Sequence, residues 1–141
     1  MKKVLIINGP NLNMLGVREP QVYGTESLLD IQKWTDEKLK SQSQNEWYQS
    51  NVEGEIVSRI QQAHTENYDA LIINPGGYAH TSVAIHDALK ILKIPVIEVH
   101  LSQVYKREEF RHTLLTAKAA TAIMSGLGRK SYYIAIISQI H

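Results

Sequence analysis

Two short runs, Val4-Leu-Ile-Ile7 and Ala70-Leu-Ile-Ile73, are wholly apolar, and both end abruptly against turn-forming residues. The first meets Asn8-Gly-Pro-Asn11 and the second Asn74-Pro-Gly-Gly77. A strand with one wet face alternates polar and apolar residues, whereas a strand covered on both faces does not. Such runs therefore require a sheet buried between two layers. With helical patterns between the strands, that means parallel βαβ units.

The intervening segments supply the helices. Ser27-Leu-Leu-Asp30 has the spacing of a capping box. Leu28, Ile31, Thr35 and Leu39 then share a face opposite Lys33, Asp36, Glu37 and Lys40. Gln42–Asn45 reads as a turn, and Glu46–Ser50, with Trp47 and Tyr48, as a strand. Ile56, Val57, Ile60 and Ala63 recur at helical spacing, which predicts a second helix over Glu53–Glu66. Thr81 or Ser82 can cap a third, with Val83, Ala84, Ala88 and Leu89 as its face, ending before Pro95.

Pro95–Val99 is the fourth strand and runs into Glu98-Val-His-Leu-Ser102. Lys106–Thr116 fits either a loop or a helix, and Ala119–Met124 is the last strand. Arg129–Ile140 reads as a closing helix, although Tyr132–Ile137 also fits a strand. Five strands alternating with helices favour a flavodoxin-like five-stranded parallel sheet, order 2-1-3-4-5, with helices on both faces. Residues 1–141 are expected to form a single domain.

Charge narrows the partners. The chain carries 15 Lys and Arg against 14 Asp and Glu, a net +1, so a nucleic-acid or membrane-surface role lacks its basic excess. Cysteine is absent, which removes disulfides and thiolate metal sites, and no metal-ligating spacing of the HExxH kind occurs. Lys2-Lys3 before Val4–Ile7 is too short an apolar stretch for a signal peptide, so a cytoplasmic location is expected.

The connection after Ile7 runs about 17 residues, against ~2–6 for an ordinary strand-to-helix loop, and long loops of this kind are commonly lids or binding loops. It carries Asn11, Asn13, Arg18 and Tyr23. In an open α/β sheet the ligand sits beyond the carboxyl ends of the strands, where strand order reverses. That rim is the one reached by Asn11, Arg18 and Tyr23, by Asn74 and His80, and by His100 and Ser102. Each has a structural alternative: His80 could cap the third helix, and Asn74 could brace its own turn. Glu98 and His100 alternate along a strand, so they share a face. Lys106–Arg111 reads as a solvated charged run, with an anion clamp as the alternative.

Asn8-Gly-Pro-Asn-Leu-Asn13, Leu15-Gly-Val-Arg-Glu-Pro20, Tyr23-Gly24, Gln49-Ser-Asn-Val-Glu-Gly54, Ile73-Asn-Pro-Gly-Gly-Tyr-Ala-His-Thr-Ser82, Glu98-Val-His-Leu-Ser102 and Arg107-Glu-Glu-Phe-Arg-His112 follow one another in order. Together they resemble the motifs of type II 3-dehydroquinate dehydratase over nearly the whole chain. Met14, where a leucine is usual, and Lys130-Ser131-Tyr132, in place of a glycine-bearing approach to the last helix, depart from the pattern.

The resemblance implies a lyase of the shikimate pathway, serving aromatic amino acid biosynthesis. It would convert 3-dehydroquinate to 3-dehydroshikimate and water with no metal and no cofactor. It implies Tyr23 as base, His100 as acid, Arg18 as support for Tyr23, and Asn11 nearby. Asn74, His80, Leu101, Ser102 and Arg111 would bind substrate. It also implies a homo-oligomer, a dodecamer built from trimers, with Asp87 reaching a neighbouring subunit's site. A module holding nucleotide or flavin on the same scaffold is the competing class. That class would need a phosphate-cradling loop after the first strand, where this chain carries Pro10, Pro20, Leu12, Met14 and Leu15.

Overall fold

The computed structural model describes residues 1–17, 19, 21 and 24–141. Arg18, Pro20, Val22 and Tyr23, and with them the roles expected of Arg18 and Tyr23, lie outside the described residues. The sheet contains β1 (Lys2–Asn8), β2 (Ser43–Gln49), β3 (Ala70–Asn74), β4 (Val96–His100) and β5 (Ala122–Ser125) in the order β2-β1-β3-β4-β5. All pairings are parallel. Among the described residues four α-helices accompany it: α1 (Leu28–Leu39), α2 (Glu53–Thr65), α3 (Val83–Leu89) and α4 (Lys130–Ile140). No described helix is long and apolar enough to cross a membrane.

The unbroken apolar strands are explained by what covers them. Val4 and Ile6 of β1 pack with Ile72, Ile97 and Val99 against Ile31 and Leu39 of α1 and Tyr132, Ala135 and Ile136 of α4. Their alternates Leu5 and Ile7 pack with Leu71, Ile73 and Val96 against Ile56 and Ile60 of α2 and Ile85, Ala88 and Leu89 of α3. Side chains one residue apart face opposite layers, so both parities must be apolar.

The ends of the helices follow their sequences. Ser27 Oγ accepts from the Asp30 N–H at 3.0 Å, and the Asp30 carboxylate accepts from the Ser27 N–H at 3.1 Å, a complete capping box. Ser82, not Thr81, caps α3 by accepting from the Ile85 N–H. The last segment is helix over Lys130–Ile140, with Arg129 at its N-cap, because one side of it must cover the β1–β3–β4 face.

Three local expectations differ from the structure. The last strand begins at Ala122, not Ala119, which ends the 3-10 helix Thr116–Ala119. β2 begins at Ser43, inside the predicted turn at Gln42–Asn45. Among the described residues it is an edge strand paired with β1 alone, so most of it is half-exposed and its polar residues mimic a turn. On α3 the buried positions are Ile85, Ala88 and Leu89, while Val83 is 60% exposed. The helix has seven residues, too short a window for periodicity to fix its phase.

Strand order reverses between β1 and β3, and the chain is built to close tightly there. The Gly9 N–H donates to the Asn74 carbonyl at 2.8 Å, and a Cβ on Gly9 would lie 2.3 Å from the Pro75 carbonyl oxygen. The two strand-end loops therefore touch backbone to backbone, and only glycine permits that approach.

Candidate active site

A crevice of about 160 Å3 opens beyond the carboxyl ends of β1, β3 and β4. Cavities of ~150 Å3 accept a six-membered ring, so its size suits a small cyclic molecule. Its lining comes from three strand-end loops: Asn11 after β1; Asn74 and His80 at the end of β3; His100, Leu101 and Ser102 at the end of β4. Arg107 and Arg111 complete it from the charged run that follows.

At the floor, His100 is 8% exposed and its Nε2 lies 2.7 Å from Oε2 of Glu98, which has no exposure at all. A carboxylate only accepts, so Nε2 carries a proton and Nδ1 is the ring's other protonation site. The second carboxylate oxygen of Glu98 accepts from the buried hydroxyl of Thr116. Glu98 is thus a buried anion with both oxygens engaged, the arrangement that makes an imidazolium beside it tolerable.

The structure pairs His100 with Glu98, its neighbour on the strand face, and not with Asn74. Strand parity is the reason. Glu98 and His100 share the side of Val96, whereas Asn74 shares the side of Ile72, toward α4. The Asn74 amide accepts from the Gly76 N–H at 3.2 Å and donates to the Tyr132 hydroxyl at 3.1 Å. It braces its own Pro-Gly turn while also lining the crevice.

His80 does not cap α3. Its Nδ1 donates to the Thr113 carbonyl at 2.9 Å, and its ring stacks toward that of His100, centroids 6.4 Å apart. Burial lowers its pKa, and the positive charges of His100 and Arg111 add to that against the opposing Thr113 carbonyl. A neutral His80 with a proton on Nδ1 offers a lone pair at Nε2.

Asn11 sits in the left-handed region, φ 68°, and its N–H donates to Asn51 Oδ1 at 2.9 Å. Gln49 Nε2 donates to the same oxygen and to the Gly9 carbonyl, and the Tyr78 hydroxyl donates to the Asn51 carbonyl. The Gln49–Asn51 block therefore fastens the root of the long loop to the neighbouring strand end.

Chains similar to this one are known. The model of the family described as "Dehydroquinase class II" matches residues 2–140. The 3-dehydroquinate dehydratase of Caldicellulosiruptor bescii is 53% identical over 137 residues, covering 96% of this chain and 94% of that protein. That of Fusobacterium nucleatum subsp. nucleatum is 49% identical over 138 residues, with the same coverage. The crystal structure of type II dehydroquinase from Butyrivibrio crossotus superposes with a TM-score of 0.95 at 45% identity, covering 98% of this chain and 97% of that one. The chain belongs to the class II dehydroquinase family.

Within this class II dehydroquinase fold, the charged run is more than a solvated face. Arg107 and Arg111 are 11% and 19% exposed, and both border the crevice. Arg111 Nε donates to Glu108 at 2.7 Å, which holds the Glu108 carboxyl below the usual carboxylate range. Arg107 donates to the Ser102 hydroxyl at 3.2 Å and lies 3.7 Å from Glu19 of the long loop. Sequence reading named Arg111, held Arg107 only within the Lys106–Arg111 run, and passed over Thr116. Arg107 falls four residues before Arg111, the one signal that the two could face the same way.

Asp87 is 69% exposed on α3, paired with His86 Nδ1 at 2.9 Å, and does not line the crevice of its own chain.

Proposed function

We propose that the chain, acting as one catalytic domain, eliminates water from 3-dehydroquinate to give 3-dehydroshikimate, through an enolate, as a step of the shikimate pathway. The observation that carries this is the Glu98–His100 pair buried at the floor of a ring-sized crevice that two arginines also border.

The substrate is a β-hydroxyketone bearing a carboxylate. The elimination needs a base for the proton beside the ketone, a stabiliser for the enolate oxygen, an acid for the leaving hydroxyl and a grip on the carboxylate. Tyr23 takes the proton as its phenolate, a form that the cation of Arg18 favours; an unperturbed tyrosine titrates near ~10. Asn11, or a water it orients, stabilises the enolate oxygen. The enolate electrons then expel the hydroxyl. His100 gives its proton to that oxygen as the C–O bond breaks, so water leaves and the imidazole is neutral until it regains a proton. Glu98 stabilises the imidazolium before the step.

Arg111 and the backbone amides of Leu101 and Ser102 hold the substrate carboxylate, with Arg107 alongside and fixed through Ser102. Asn74 and the Nε2 lone pair of His80 hold ring hydroxyls. No cofactor enters this route. Assembly is part of the reading: trimers stacked into dodecamers bring Asp87 of one subunit to the site of the next, which agrees with its exposure.

Adding the purified protein to 3-dehydroquinate and following ultraviolet absorbance of the conjugated enone tests the function. Growth of that absorbance, insensitive to chelators and to borohydride, is the expected result. Absence of growth would sink the proposal, and a borohydride-trapped lysine adduct would replace the enolate route with a Schiff base.

A further inference from the structure

Tyr132 belongs to α4, and no part of it is exposed, yet its hydroxyl reaches the carboxyl edge of the sheet. There it meets two asparagines that are register partners, Asn8 at the end of β1 and Asn74 at the end of β3. All three are buried, at 0%, 0% and 3% exposure for Tyr132, Asn8 and Asn74. Asn74 alone of the three lines the crevice.

The bonds among them run in one direction. The Gly76 N–H donates to Asn74 Oδ1 at 3.2 Å, which identifies that atom as the amide oxygen. Asn74 Nδ2 then faces Tyr132 and donates to its hydroxyl at 3.1 Å. Having accepted there, the hydroxyl directs its own proton to Asn8 Oδ1 at 2.5 Å. Burial pushes the Tyr132 phenol well above its ordinary pKa, so that proton stays in place. A flipped Asn74 would set Nδ2 against the Gly76 N–H, donor against donor.

Asn8 adds an independent observation. Its Nδ2 is buried without a hydrogen-bond partner among the described residues, while its oxygen receives the Tyr132 proton. A buried amide nitrogen left unpaired is costly, and what the Asn8 side chain gains at this position is the acceptor for Tyr132.

We propose that Tyr132 is a positioning residue for the reaction: through the chain Gly76–Asn74–Tyr132–Asn8 it locks the Asn74 amide so that its second Nδ2 hydrogen is kept for an oxygen acceptor in the crevice. This rests on the reading of Asn74 as a substrate-binding residue. Tyr132 touches no substrate. It acts on a side chain 58 positions away in sequence by removing the amide's freedom to flip.

The test is a double-mutant cycle on 3-dehydroquinate turnover with Tyr132→Phe, Asn74→Ala and the pair. Tyr132→Phe should lower kcat/KM about two- to tenfold, the factor one ordinary hydrogen bond corresponds to. Asn74→Ala should cost more, and the pair should be no worse than Asn74→Ala alone, because Tyr132 acts only through Asn74. Additive losses, or an unchanged Tyr132→Phe beside an impaired Asn74→Ala, would overturn the proposal while leaving the function intact.

A second measurement needs neither activity nor a folded variant. In the unaltered protein, the Asn74 side-chain amide resonances should show one strongly protected hydrogen and no rotation averaging. Rapid exchange of both hydrogens would refute the lock, whatever reaction the crevice performs.

Discussion

Replacing Glu98 by glutamine tests the acid half of the mechanism with little change in shape. The carboxylate has no exposure, and it accepts from His100 Nε2 at 2.7 Å with Thr116 on its other oxygen. In Glu98→Gln the amide either turns its NH2 to Nε2, donor against donor, or turns it to the Thr116 hydroxyl and offers Nε2 a neutral acceptor. In both arrangements His100 loses its anionic partner. The charge-assisted bond lost contributes ~1.5–3 kcal/mol. At about 1.4 kcal/mol per tenfold, kcat should fall about 10- to 150-fold. KM should change little, since Glu98 is placed to act on the imidazolium and not on bound substrate. Removing a buried charge also removes its desolvation cost, so the variant should remain folded. Steady-state enone absorbance, with circular dichroism as the folding control, measures both. A folded Glu98→Gln with kcat within about twofold of the parent would refute the pairing as a source of acid catalysis, since even the weakest bond in this range predicts more.

Tyr23→Phe should still bind substrate but lose nearly all turnover, and Arg18→Ala should move the rising limb of the pH profile to higher pH, as a phenolate deprived of its cation requires; steady-state kinetics across pH checks both. Arg111→Ala should raise KM about 10- to 100-fold with a smaller change in kcat, the signature of lost charge-assisted binding. Ser131→Ala should stabilise the fold by about 1 kcal/mol, because the Ser131 hydroxyl is buried with no hydrogen-bond partner among the described residues and alanine is the better helix former. Urea unfolding at fixed protein concentration measures it, and a less stable variant would show that the hydroxyl has a partner. Light scattering should report a particle several times the 16.0 kDa chain, and a fully active monomer would remove Asp87 from the site.

The sequence by itself determined the layers. Val4–Ile7 and Ala70–Ile73 lack alternation because α1 and α4 cover one parity and α2 and α3 the other, and that demand is written locally, residue by residue. Ser27 and Asp30 likewise marked a helix start from three positions of spacing. Position at strand ends was also legible, which is why Asn11, Asn74, His80 and His100 could be brought to one rim before any coordinates. Where local pattern was ambiguous, tertiary contact decided. Residues 43–45 became strand by pairing with β1, and α4 became helix because a sheet face needed covering. Partner choice within the site was decided only by the fold. Alternation put Glu98 and His100 on one face, but only the packed layers brought Asn74 to Tyr132, 58 residues away, and Glu98 to Thr116, 18 away. Arg107 left the solvated surface only when the segment after β4 folded back over the crevice. Periodicity encodes which faces are covered, because neighbours along the chain suffice to express it. Which groups bond to one another depends on distances that the packed layers alone establish.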